Sequence, residues 1–122
     1  MTPALSRLQG DWDQTELIQN GQDWPNRCCS RGHRTTQGNE VKVVFGGQTM
    51  VHARMRIDES QPPFAMDYLN VGRSANGQIS LGIMQWVGEE VLICMSAPGD
   101  PRPTDFSCDA GSGRTLSRWR RK

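Results

Sequence analysis

The chain has 122 residues, 14 basic and 13 acidic side chains, a net charge of +1 and 35% hydrophobic residues. That length fits one domain, 1–122, with one modest core. No stretch approaches the roughly 18 apolar residues of a membrane span, so no membrane partner is expected.

A net charge of +1 speaks neither for nucleic acid nor against it. The sequence carries no helix-turn-helix pattern, zinc-finger spacing or aromatic RNA-binding signature, so nucleic acid is not an expected partner. Two basic clusters, Arg27/Arg31/Arg34 and Arg118/Arg120/Arg121/Lys122, read as solvated surface. Met1 to Gly10 lacks a charged leader followed by an apolar run, which points to the cytoplasm. Cys28, Cys29, Cys94 and Cys108 are then expected as reduced thiols.

In chain order, Pro3 to Leu8 forms one short helical turn, with Leu5 and Leu8 spaced to plug one surface. Gly10 breaks it. Trp12 to Ile18 suits a strand, and Asn20-Gly21 turns it. Gln22 to Asn39 shows no apolar period and contains Pro25, Gly32, Gly38 and two adjacent cysteines, so it reads as one long loop. Strands follow at Glu40–Phe45, Gln48–Asp58, Phe64–Asn70, Gln78–Val87, Glu90–Ser96 and Arg114–Arg120. Their turns fall at Gly46-Gly47, Gln61-Pro62-Pro63, Ala75-Asn76-Gly77 and Gly88-Glu89, with a proline-rich loop at Pro98–Pro103. Within Gln48–Asp58, Val51, Ala53 and Met55 are expected inside. Met50, His52, Arg54 and Arg56 are expected outside, because unpaired arginines are costly to bury; facing inward, the row would form a cationic pocket suited to a carboxylate or phosphate ligand.

Short strands at regular spacing, joined by tight turns and uninterrupted by helices, imply an all-β fold. The expected form is a small antiparallel up-and-down barrel, because closure removes the exposed sheet edges.

Gly10-Asp11-Trp12 after a short N-terminal turn resembles the G-x-W signature of lipocalins and calycins. The resemblance implies that Trp12 closes the barrel bottom and stacks on an arginine of the last strand, with Arg118 and Arg120 as the candidates. Leu8–Trp12, Val44-Phe45-Gly46-Gly47, Met66-Asp67-Tyr68, Gly82-Ile83-Met84, Leu92–Ala97, Arg102–Phe106 and Gly111-Ser112-Gly113 occur in order. Together they resemble a bacterial lipocalin-like domain family abundant in planctomycetes, one without an assigned general activity. Gln22 to Asn39 departs from that pattern.

Cys28, Cys29 and His33, with Cys108 or His52, are soft-ligand types. Adjacent cysteines, however, reach a single zinc ion poorly, so neither a metal nor any other cofactor is expected. Arginines around Cys28 favour the reactive thiolate, which leaves a redox role open. Cys94 reads as a small hydrophobe. Asp67 and Tyr68 are adjacent and must point to opposite faces, so one can enter the barrel as a general acid or base. Arg102 and Asp105 are expected to pair across the proline-rich loop.

The leading functional expectation is a lipocalin-like barrel that binds a small, mostly apolar molecule in its interior. Met55, Met66, Tyr68, Met84 and Trp86 are the candidate ligand contacts, part of a strand methionine set that also holds Met50 and Met95. The 22–39 segment is placed to act as a lid. The first alternative is a calycin-type cyclase or isomerase, with Tyr68, Asp67, Gln85, Trp86, Cys28 and Cys29 as candidates for chemistry. The second is a protein-interaction domain that uses the 22–39 loop and the basic C-terminus. No G-x-S-x-G, P-loop, H-E-x-x-H or Rossmann glycine pattern supports the common enzyme classes.

Overall fold

The computed structural model describes residues 3–24, 32–45, 47–71 and 77–121, with residues 23, 24 and 50 described by backbone alone. Cys28, Cys29, Arg27, Arg31, Lys122 and parts of the turns at Gly46-Gly47 and Ala75-Asn76-Gly77 lie outside the described residues.

One helix precedes nine strands: α1 (Pro3–Arg7), β1 (Gly10–Gln19), β2 (Gln22–Trp24), β3 (Gly32–Gln37), β4 (Glu40–Phe45), β5 (Gln48–Asp58), β6 (Phe64–Asn70), β7 (Ile79–Val87), β8 (Glu90–Met95) and β9 (Thr115–Arg121). Each strand from β3 to β9 pairs antiparallel with the next, and β9 pairs back with β1. β1 is shared along its length, with β3 facing Gly10–Asp13 and β2 facing Leu17–Gln19. β2 and β3 thus complete one wall, and the result is a closed eight-stranded antiparallel barrel. Among the described residues, no helix is long and apolar enough to cross a membrane.

The segment Gln22 to Asn39 is therefore not one long loop: it contains β2 and β3. The inward residues of β3 explain the misreading. They are Gly32, Arg34 and Thr36, none of which contributes an apolar period.

Alternation elsewhere follows expectation. Ala53, Met55 and Ile57 of β5 are buried, while Arg54 and Arg56 are exposed. Met66 and Tyr68 of β6, Met84 of β7, and Val91 and Ile93 of β8 join the same core.

The two ends of the barrel differ. At one, α1 caps the opening with Ala4 and Leu8, which are 2% and 0% exposed. Trp12 sits above them, and its indole nitrogen donates to the Leu8 carbonyl at 2.9 Å. The arginine over Trp12 is Arg121, 4.3 Å from the ring centroid. Arg118 and Arg120 point outward to Glu90 instead, at 2.5 and 3.2 Å. Register decides this: Trp12 pairs with Arg121, and inward positions of β9 alternate through Ser117, Trp119 and Arg121. Arg121 also donates to the carbonyls of Gln9, at 2.6 Å, and Arg7. Trp86 lies 6.1 Å from Trp12, under the guanidinium of Arg7.

At the other end, Asn20-Gly21 turns β1 into β2 with positive φ at both residues. A Cβ on Gly21 would fall 2.4 Å from the Ala110 nitrogen, so this turn and the β8–β9 connection require glycine where they meet.

The middle of that connection, 102–108, packs on the outer wall, while Ser96, Ala97, Pro98 and Gly113 line a cavity inside the barrel. Arg102 donates to the Gly82 carbonyl at 2.8 Å and pairs with Asp67 at 2.7 Å, while Asp105 pairs with Arg114. Arg102 and Asp105 thus take separate partners rather than each other. The strap buries Pro103 and covers the outward Cys94.

Candidate functional site

Inside the open half of the barrel is a cavity of about 490 Å³. Buried Gln14, Arg34, Tyr68, Ser117 and Trp119 form its inner end, and exposed Gln19, Pro98 and Gly113 mark where it meets solvent. Its walls are mostly aliphatic and aromatic, including Leu17, Val43, Phe45, Val51, Ile93 and Met95.

Local pairing explains how a charged side chain came to lie inside. The Gly38-Asn39 turn sets Gln37 opposite Glu40, which places Thr36 opposite Val41 and Arg34 opposite Val43. Directly opposed residues share a face of the sheet. Val41 and Val43 are core residues, so Thr36 and Arg34 enter the barrel with them. On the other side, Arg34 pairs with Trp12, which also faces inward. Arg34 is consequently 1% exposed and does not belong to a solvated basic cluster. Gly32, one step further along β3, leaves room for Gln14: a Cβ there would lie 2.8 Å from the Gln14 amide oxygen.

The Arg34 guanidinium has a sparse set of partners. Nη1 donates to the Tyr68 hydroxyl at 2.8 Å, and Nη2 approaches the Met55 sulfur at 3.1 Å. Its Nε has no partner among the described residues, and the Thr36 hydroxyl is likewise unsatisfied. The Tyr68 and Trp119 rings each lie 5.8 Å from the guanidinium carbon. Several other polar groups at the cavity are engaged locally. Trp119 donates to Ser117 at 2.9 Å, and the Asn70 amide donates to the Gln78 carbonyl and to Ser80. No aspartate or glutamate lines the cavity among the described residues.

The candidate residues are distributed as follows. Tyr68 lines the cavity, and Met55 lies beneath it with its sulfur on Arg34. Met66 and Met84 are fully buried in the core but do not line the cavity, and Trp86 packs near the closed end between Arg7 and Trp12. Met95 contributes the methionine surface of the wall. Asp67 points outward, as alternation with Tyr68 requires, and holds Arg102. Gln85 is exposed. His33 also faces outward, 3.4 Å from Asp11 and 3.7 Å from Asp13. His52 holds Glu40 at 2.6 Å, and this hydrogen bond lowers the Glu40 carboxyl below its ordinary range.

Of the described cysteines, Cys94 is buried, and burial pushes its thiol up to about 11. Cys108 is half-buried and donates to the carbonyls of Arg114 and Ile18. No cluster of three or more potential metal ligands occurs among the described residues.

Arg34 is the site residue that sequence reasoning missed. A signal was present: Gly38-Asn39 is a hairpin turn before a valine-rich strand, which implies a partner strand ending at Gln37. No family model, curated protein or solved structure matches the chain.

Proposed function

We propose that the barrel holds one small, mostly apolar molecule in its interior. The observation that carries this reading is the cavity of about 490 Å³ reaching solvent at one end. Its size lies within the roughly 300–1,000 Å³ usual for small-molecule sites, and its composition is typical of them: apolar walls with a few polar groups to set orientation. The flexible Met95 thioether suits a wall that adjusts to a guest. The likeness of Gly10-Asp11-Trp12 to the lipocalin signature supports the same reading. Titration with the uncharged dye Nile red tests it. The native protein should brighten the dye saturably. Thr115→Trp, which fills the cavity from the β9 wall, should weaken binding at least tenfold while circular dichroism stays unchanged. A native barrel that leaves the dye dark would end the reading.

A second reading, an isomerase or cyclase, draws on Tyr68. Its hydroxyl accepts from Arg34 at the cavity's inner end, and such a phenol can still donate its own proton to a guest. Turnover abolished in Tyr68→Phe with binding retained would select it.

A further inference from the structure

We propose that Arg34 is the anchor of this cavity and that its guest is a monocarboxylic acid with an apolar body. The proposal rests on the binding reading above and names its ligand class.

Arg34 is a cation buried to 1% exposure. The acceptors it meets are a phenol oxygen and a thioether sulfur, both neutral and the second weak. The Nε–H meets none among the described residues. The flanking rings, at 5.8 Å, stand at the edge of the roughly 6 Å reach of a cation–π contact. A buried charge answered so incompletely is costly. It stands beside a cavity that could admit the missing anion, and no carboxylate of the described lining supplies one.

The guanidinium geometry selects the chemistry. Its planar fork matches a carboxylate through two parallel N–H bonds. Nε, without a partner among the described residues, is sealed by protein, so the fork must turn toward the cavity to offer it. The Tyr68 hydroxyl and the Gln14 amide stand at the same inner end as further hydrogen-bonding groups. Arg34 is the only charged residue among the described lining. It balances one negative charge, whereas a phosphate monoester brings nearly two at neutral pH. From that anchor toward the mouth, Val43, Val51, Ile93 and Met95 offer apolar walls to the rest of the molecule.

The experiment compares cis-parinaric acid with its methyl ester by fluorescence titration, on the native protein, Arg34→Met and Arg34→Lys. The native protein should bind the acid at least tenfold more tightly than the ester. Arg34→Met should lose that preference and keep ester binding. Arg34→Lys should retain part of it, because the charge remains but the fork does not. Acid affinity should also fall as pH drops through the ligand's own carboxyl titration. Equal binding of acid and ester by the native protein would overturn the proposal and leave the cavity reading intact. Binding of neither would overturn both. Should Arg34→Met fail to fold, the acid-to-ester ratio of the native protein and of Arg34→Lys still decides the matter.

Discussion

Two arginines lie against tryptophan rings, one at the closed end of the barrel and one at the inner end of its cavity, and they are provisioned in opposite ways. Arg121 at the closed end lies over Trp12 and donates to two backbone carbonyls, with an exposed flank open to water. Arg34 at the inner end of the cavity is sealed from bulk water and, among the described residues, has two neutral partners and an orphaned Nε. The first arrangement completes a plug. The second holds electrostatic potential in reserve. A group that costs stability while the site is empty can repay it when a guest arrives, which is the usual logic of preorganised binding groups.

The sharpest way to break this contrast is at the closed end. Trp12→Ala should cost about 3–5 kcal/mol in urea unfolding, because a fully buried indole leaves a cavity that the α1 plug cannot fill. A loss below about 1 kcal/mol would remove Trp12 from its role as plug. The complementary substitution at the open half should go the other way. Arg34→Met exchanges a poorly partnered buried cation for an apolar side chain, and a gain of about 1–2 kcal/mol is expected from the shift in urea midpoint. A clear loss would make Arg34 a structural group like Arg121. The smallest effect belongs to the wall between the two ends. The Cys94 thiol is raised from about 9 to about 11 by burial. The folded state therefore holds that proton more tightly than the unfolded chain. The contribution is fully present below pH 9 and is lost as pH rises toward 11. Cys94→Ala should flatten the decline in stability over that interval, read from unfolding curves at stepped pH.

How much of this was legible in the sequence depended on what each strand turns inward. β4, β5 and β6 coincide with the spans expected from alternation, β7 and β8 differ by a residue at one end, and β9 is shifted by one residue at both, because valines, methionines and aromatics mark most of their inner faces. β3 turns in glycine, arginine and threonine, so hydrophobic periodicity was silent where the candidate anchor lies. Turn chemistry at Gly38-Asn39 was the stronger guide there. The partner of Trp12 is hidden in the sequence for a related reason. A last strand expected to end at Arg120 leaves Arg118 and Arg120 as the candidates, but β9 runs to Arg121, and alternation through a buried Trp119 puts Arg121 on the same face as Trp12. The cavity itself left little trace, since enclosed space depends on how side chains fail to fill a barrel rather than on any local pattern.

The seam between β1 and β9 has a temporal consequence. The bond from Arg121 to the Arg7 carbonyl beside it spans 114 residues of sequence. Every other strand is made before β9, so the nascent chain passes through a stage in which β1 and β8 are unpaired sheet margins. Contacts of such long span slow folding, and open margins invite pairing with neighbouring molecules. In that interval the Arg34 side chain still has access to water, and its desolvation is deferred until the ring closes. Barrel closure is thus the step at which the protein both loses its sticky margins and commits a cation to its interior.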